Sequence, residues 1–329
     1  MLTATRKPFI LLGALSALCV AVIIVSLATG SADVTIGQLW SALTTRESSI
    51  QSQVVWELRI PRTFAALITG GLLGLAGVIM QVLLRNPLAD PYILGVSGGA
   101  SASALALLLA GFSAAWVPQA AFVGAIFSIL VVFGLANAGG RWSVTRLLLT
   151  GVVVSAGWGA VINILLTSTS TNTVQSMLFW LMGDLSQSRI RFWQIAVLVS
   201  GLLAAMLLAR PLNVLIRGEL AAMSLGVNVH RLRVSLYLAA SVLTATAVTI
   251  SGSIGFVGLV IPHTLRLLGA RDHRLLIPLS ALMGGSFLTV ADVLARTVVA
   301  PQQLPTGVVT AIIGVPMFLV ILRSTMKQH

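Results

Sequence analysis

From Phe9 to Ala28 the chain runs for twenty residues without a charged side chain, and from Phe192 to Ala209 for eighteen. A helix of about 20 apolar residues spans a hydrocarbon layer about 30 Å thick, whereas a surface helix of a soluble domain is apolar on one face only. The strands of a membrane barrel would alternate polar and apolar residues, and these stretches are continuous. Only 9 % of the 329 residues are charged and 57 % are hydrophobic, against about 25 % charged in an ordinary soluble domain. That is too little polar surface for a water-soluble fold and too much apolar surface for disorder. Nine or ten such helices with short connections fill the length. The fold class expected is therefore all-α, a polytopic membrane protein with about ten transmembrane helices in one domain, 1–329.

The spans are expected at about Phe9–Ala28, Thr63–Leu84, Ile93–Leu109, Gln119–Asn137, Leu147–Leu166, Phe192–Ala209, Leu236–Gly252, Phe256–Leu268, Leu275–Ala295 and Thr306–Leu322. The first run is too long for a signal-peptide core and is read as a span. Val174–Met182 is too short to cross and is expected as a peripheral helix. Gly70, Gly71, Gly74 and Gly77 give the second span a small-residue face suited to close helix packing. Gly95–Ser101 and Gly252–Gly258 should be broken or unwound entries, and Pro262 should kink the eighth span. Two blocks of opposite orientation, the second to fifth and the seventh to tenth spans, have the form of an inverted repeat.

Charge sets the orientation. With ten spans, 14 of the 20 Lys and Arg residues, among them Arg6, Lys7, Arg85, Arg141, Arg146 and Lys327, fall on the side of both termini. Arg46, Arg59, Arg62, Arg189, Arg191 and Arg296 fall on the other side or its rim, with Asp33, Glu47, Glu57, Asp184 and Asp292. An excess of Lys and Arg marks cytoplasmic loops, so both termini should be cytoplasmic. The same rule accounts for the net charge of +12 without a nucleic-acid partner, since the basic residues are single or paired between apolar runs. Cys19 lies inside the first span and has no cysteine to pair with.

The chemistry expected of the chain itself is passive. Ion-coupled carriers keep ionisable groups in mid-membrane, and here only Asp292 comes close, four residues before Arg296, with which it should pair. No phosphate-cradling loop, nucleophile elbow or closely spaced metal ligands occur, so neither a catalytic nor a metal site is expected. His263 fits local packing or hydrogen bonding. Energy for transport would come from a partner, and the amphipathic segment Pro211–Arg233, split at Gly218 and Gly226, is the place to dock one. Arg59 and Arg62, with Arg296, form a basic rim suited to an acidic partner, against the blander expectation that they snorkel to headgroups.

Several motifs carry a resemblance over nearly the whole chain: Leu58-Arg59-Ile60-Pro61-Arg62, Arg85-Asn86-Pro87-Leu88-Ala89-Asp90-Pro91, Leu94-Gly95-Val96-Ser97-Gly98-Gly99-Ala100, Gly255-Phe256-Val257-Gly258-Leu259-Val260-Ile261-Pro262-His263, Asp272-His273-Arg274 and Leu304-Pro305-Thr306-Gly307. The chain resembles permease subunits of the bacterial ABC importers that take up iron–siderophore complexes, haem and vitamin B12. The resemblance implies an inner-membrane permease without its own ATPase site or cofactor. It would work as a dimer with a second permease copy, two cytoplasmic ATPase subunits that bind ATP and Mg, and a periplasmic substrate-binding protein. It further implies coupling to the ATPase through 211–233, at Arg217, Gly218, Glu219, Leu220, Ala221, Leu225 and Gly226. Docking of the binding protein would fall on Arg59, Arg62 and Arg296, and a cytoplasmic gate on Ser143, Val144 and Thr145, where Val144 replaces a small polar residue. The form of the Arg85–Pro91 turn favours an iron chelate, haem or a ferric siderophore, with vitamin B12 (cobalamin) as the alternative and a non-transporting membrane scaffold as the alternative of another class.

Overall fold

In the computed structural model the described residues are 2–30, 35–44, 49–138, 143–169, 171–186 and 188–326. Among the charges that set the expected orientation, Asp33, Arg46, Glu47, Arg141 and Lys327 lie outside them, as do the side chains of Arg6 and Lys7. Every regular element among the described residues is helical. Helix α1 (Leu2–Ala28) is followed by the short α2 (Ile36–Thr44) and α3 (Ile50–Gln53), a π-helical turn (Val54–Arg59), and α4 (Ile60–Leu83). A 3-10 turn (Pro91–Leu94) leads into α5 (Val96–Leu109); then come α6 (Val117–Asn137), α7 (Val144–Thr167) and α8 (Thr171–Met182). The second half holds α9 (Phe192–Leu207), α10 (Ala209–Leu215), α11 (Glu219–Ser224), α12 (Val229–Ser251), α13 (Val257–Leu267), α14 (His273–Thr297) and α15 (Thr306–Met326).

Seven helical stretches among the described residues are long and apolar enough to cross a membrane. An eighth, α9 with α10, is bent by 59°. Helices α5 and α13 are apolar but shorter than a full crossing. The protein is thus an all-α polytopic membrane protein with seven or eight long apolar helices among the described residues, where about ten spans were expected. The shortfall falls where glycine and proline interrupt the pattern. Gly95 stops the 3-10 turn with a φ of +72° and starts α5, and Gly252, with a φ of +67°, ends α12 ahead of α13. Pro262 lies inside α13.

The first long helix beyond α1 begins earlier than its sequence suggests. Pro61 is a natural helix start, yet helix continues from Ile50 through Leu83. An α-turn would drive the proline ring into the carbonyl four residues back. The π turn ahead of it, closed by the Ile60 N–H donating to the Val55 carbonyl, widens the helix there and accommodates the ring.

Helix α4 is the axis of the molecule, and all but a few of its residues are buried. A Cβ at Gly70 would overlap the Gly284 carbonyl, one at Gly74 the Ser280 carbonyl, and one at Gly77 the Gly258 carbonyl. The expected glycine face thus brings α4 to backbone contact with α14 and α13. Close approach of this kind supplies dispersion contact where lipid offers no hydrophobic driving force between helices. Gly99 of α5 and Gly124 of α6 repeat the arrangement. By contrast, only Leu147 and Gly151 of α7 are buried, and Leu149, Val152, Val153 and Ile164 are exposed.

Candidate functional site

Polar groups are rare enough that their clusters stand out, and two lie at opposite ends of α4, a rise of about 36 Å for its 24 residues. At its N-terminal end Asp292 of α14 is fully buried. Arg62 donates through Nε to both carboxylate oxygens, at 2.9 and 3.0 Å, and through Nη1 to Gln303 Oε1 at 2.8 Å. Arg296 Nε stands 3.6 Å from Asp292 Oδ2, the pairing expected from their spacing, and Thr306 Oγ1 donates to Asp292 Oδ1 at 3.3 Å.

The same arginines close the end of α1. The last carbonyls of a helix have no partner within it. Arg296 Nη2 donates to the Ser26 carbonyl at 2.7 Å and to Ser26 Oγ at 2.8 Å, while Arg59 Nη1 donates to the carbonyls of Leu27 and Ala28 at 2.8 and 2.7 Å. A cation here also opposes the negative end of the helix dipole. Ser26 Oγ in turn pairs with Thr63 Oγ1 at 2.7 Å. The structure therefore gathers Arg59, Arg62 and Arg296 at one place, but inside the protein: their exposures are 3, 8 and 7 %. The expected basic rim is an internal network covered by the exposed segment 298–303. Burial follows from the hydrogen-bonding demands of Asp292 and α1, which a sequence does not display.

At the other end of α4, Glu219 bridges two arginines. Its Oε1 accepts from Arg85 Nη2, just beyond α4, at 2.8 Å, and also from Arg233 Nη2 in α12. Glu219 opens α11, preceded by Gly218 with a φ of +126°. Around it Arg217 and Gly226 are exposed and Ala221 is half-buried; Leu220 and Leu225 are 82 and 69 % exposed. Ser143 caps α7 by accepting from the Arg146 N–H at 3.1 Å, with Val144 half-buried and Thr145 exposed beside it.

Two further polar knots at this end escaped the sequence reading. Gln81 donates to the Leu259 carbonyl at 3.1 Å and accepts from Arg266 Nη1. Asn213 donates to Asp272 Oδ1 at 2.8 Å and accepts from the His273 N–H at 3.0 Å. The Asn213 amide and the Arg274 N–H together hold the Asp272 carboxyl below its ordinary value. A lone amide inside an apolar run was the available signal for Gln81. His263 Nδ1 lies 3.4 Å from the Pro87 carbonyl, a local contact, and no cluster of potential metal ligands occurs among the described residues.

Between the two ends, the broken helices meet. Ser97 Oγ of α5 pairs with Ser253 Oγ at 2.7 Å, and Tyr92 Oη accepts from the Ile254 N–H at 3.2 Å. Pro91 packs where a Cβ on Gly258 would sit. Non-helical backbone at such depth is tolerated where protein or a cavity satisfies it.

The model of the FecCD transport family matches residues 18–324. The chain belongs to the FecCD transport family. Its permeases of iron-siderophore, haem and vitamin B12 ABC importers are transport subunits without a catalytic ATPase, and this chain is likewise a non-enzymatic subunit of a metal-chelate ABC importer. It is 38 % identical over 321 residues to the vitamin B12 import system permease BtuC of Vibrio cholerae, covering 95 % of this chain and 92 % of that one. It is 35 % identical over 326 residues to the hemin transport system permease HmuU of Yersinia pestis, covering 94 and 95 %. A solved structure described as an inward-facing metal-chelate type ABC transporter superposes with a TM-score of 0.84 at 30 % identity, over 96 % of this chain and 99 % of that one. Permeases named for vitamin B12 or cobalamin import recur among the relatives, at up to 41 % identity.

Proposed function

We propose that this permease carries cobalamin or a related corrinoid across the inner membrane, with haem as the second reading. The carrying observation is the run of B12 permeases among its relatives at 36 to 41 % identity; the hemin relative, at 35 %, supports the second. The iron preference drawn from the Arg85–Pro91 turn is the weaker argument, because that turn bears on packing and not on the path of the substrate.

In this reading α5, α13 and the bent α9–α10 pair complete ten crossings, with 2–5 and 7–10 of them as inverted repeats, and both termini are cytoplasmic. The permease pairs with a second copy. Two ATPase subunits engage 211–233 through Leu220 and Leu225, around Glu219, and Ser143–Thr145 forms the gate. The broken-helix junction at Ser97 and Ser253 lies beside the route. Since the polar groups there already pair with each other, the walls offer the substrate few fixed partners, and selectivity rests with the periplasmic binding protein.

That protein docks at the Asp292 end. Among the described residues Arg62 Nη2 has no hydrogen-bond partner, and Gln303 on the exposed segment holds Nη1. A partner carboxylate would displace Gln303 and take both Nη groups, a bidentate geometry for which arginine is suited. Uptake by proteoliposomes holding the permease, ATPase and binding protein tests the whole reading. Cobalamin uptake exceeding haem uptake is the expected result. The reverse selects haem, uptake of a ferric siderophore alone selects that chelate, and no ATP-dependent uptake of any of the three would leave a scaffold.

A further inference from the structure

A cavity of about 940 Å³ opens at the end of the bundle that carries Asp292, away from both polar clusters. It lies among the end of α5, the start of α6, the end of α8, the start of α9 and the end of α12. Its wall is apolar and aromatic: Leu108, Phe122, Phe179, Trp180, Trp193 and Ile250. Phe122 and Trp193 meet edge to face at 5.7 Å. Its mouth is cationic. Arg189 and Arg191 both line it and are exposed. The acid at the mouth, Asp184, is turned onto Ser186, whose N–H and hydroxyl both donate to it, and it makes no ion pair among the described residues. In the amide orientation that satisfies both its ends, Gln119 accepts from Arg191 Nη1 at 3.0 Å and steadies that guanidinium over the opening.

The depth of the mouth is marked by its neighbours. Trp116, just before α6, is 57 % exposed, and Phe192, at the start of α9, is 84 % exposed. Exposed aromatic rings at the ends of apolar helices sit at headgroup level, the boundary between hydrocarbon and water. A pocket there faces amphiphiles held at high local concentration. Its cationic mouth selects an anionic head, and its aromatic wall accepts a hydrocarbon tail.

We propose that this cavity is a binding site for an anionic phospholipid of the adjoining leaflet, with its phosphate between Arg189 and Arg191 and one acyl chain along Phe122, Trp180 and Trp193. A basic side chain near the membrane surface attracts anionic lipid by about 1 kcal/mol. One such contribution alone converts to about a fivefold preference for an anionic over a zwitterionic lipid, the least that the two arginines together should give.

The test uses the full permease in phosphatidylcholine nanodiscs doped with bromine-labelled phosphatidylglycerol or bromine-labelled phosphatidylcholine, read by quenching of tryptophan fluorescence. Wild-type protein should be quenched at about fivefold lower fraction of the brominated anionic lipid. R189A/R191A should lose that preference, and R189K/R191K should keep it, which separates lost charge from lost fold. W193F should lower the amplitude without moving the midpoint. Equal quenching by both lipids in the wild type would overturn the proposal, as would a preference unchanged in R189A/R191A. Full competition by millimolar inorganic phosphate would make this a simple anion site instead. Lipid preference unchanged alongside weakened binding-protein affinity in R189A/R191A would make it a protein-docking surface.

Discussion

Replacing Asp292 by asparagine keeps the shape of the side chain and one acceptor oxygen but removes the only charge that Arg62 and Arg296 share. Removing one partner of a buried ion pair costs about 3–5 kcal/mol, mostly because the other charge is left uncompensated. Here each guanidinium retains neutral acceptors, Gln303 for Arg62 and Ser26 for Arg296, which places the expected loss at the lower end, about 3 kcal/mol. Arg62→Gln should cost a similar amount by leaving Asp292 with the 3.6 Å approach of Arg296 as its one described cation and the Thr306 hydroxyl as a neutral donor. The double variant removes one charge of each sign, so its cost should fall short of the sum of the singles by about 2 kcal/mol. Unfolding by SDS titration from detergent micelles measures all three. A loss under about 1 kcal/mol for Asp292→Asn, or strictly additive effects, would show that the network is not the electrostatic unit described.

Other consequences are as direct. Gly70→Val should destabilise by about 3 kcal/mol or abolish folding, because its side chain must displace the Gly284 carbonyl and not a mobile side chain; Gly157→Ala, with open space around its Cβ position, should be neutral in the same SDS titration. Glu219→Gln should change stability by less than about 1 kcal/mol, as its pairs are partly exposed, yet lower the stimulation of ATP hydrolysis by the binding protein in the reconstituted complex. Gln303→Ala should strengthen binding-protein affinity if docking displaces Gln303 from Arg62, as read by surface plasmon resonance on nanodiscs. Asp272 titrates below its ordinary value because Asn213 and the Arg274 N–H favour its charged form. The stability this gives is present above the ordinary carboxylate value and is lost as pH falls through the lowered one. Asn213→Ala should therefore begin its acid unfolding at higher pH than the wild type.

Membrane class, the order of the apolar helices and the glycine face of α4 were legible because each is a periodic or compositional property. The short helix expected at Val174–Met182 was legible from its length and is seen as α8, Thr171–Met182, and the split of 211–233 was legible from Gly218 and Gly226, which take up a positive φ. The Asp292–Arg296 pairing was legible from its four-residue spacing. What could not be read was long-range. Arg62 meets Asp292 across 230 positions and Arg85 meets Glu219 across 134, so an arginine placed at a rim by local hydropathy turned out to be drawn inward by a distant carboxylate and by the open carbonyls of α1. Span lengths failed where backbone breaks interrupt them, because mean hydropathy does not distinguish a continuous helix from two apolar pieces.

The packing also constrains how a push at one end of the molecule can be transmitted. Helices α4, α13 and α14 touch at backbone distance through Gly77 and Gly258 and through Gly70, Gly74, Gly284 and Ser280. Sliding one past another would drive main-chain atoms together, so the three must move as a block. Glu219 fastens the exposed α11 segment to this block through Arg85 and to α12 through Arg233, and Asn213 fastens α10 to the start of α14. In the proposed reading, a push at Leu220 and Leu225 reaches this block through Glu219 and Arg85. Helix α7 lies outside this block, with only Leu147 and Gly151 buried, and Ser143–Thr145, the gate in the proposed reading, stand at its start. In the proposed reading, α7 moves against the α4–α13–α14 unit. A disulfide between α7 and α5 should stop transport, whereas one between α4 and α14 should leave it intact; transport surviving the first and failing with the second would reverse the assignment of moving and fixed parts.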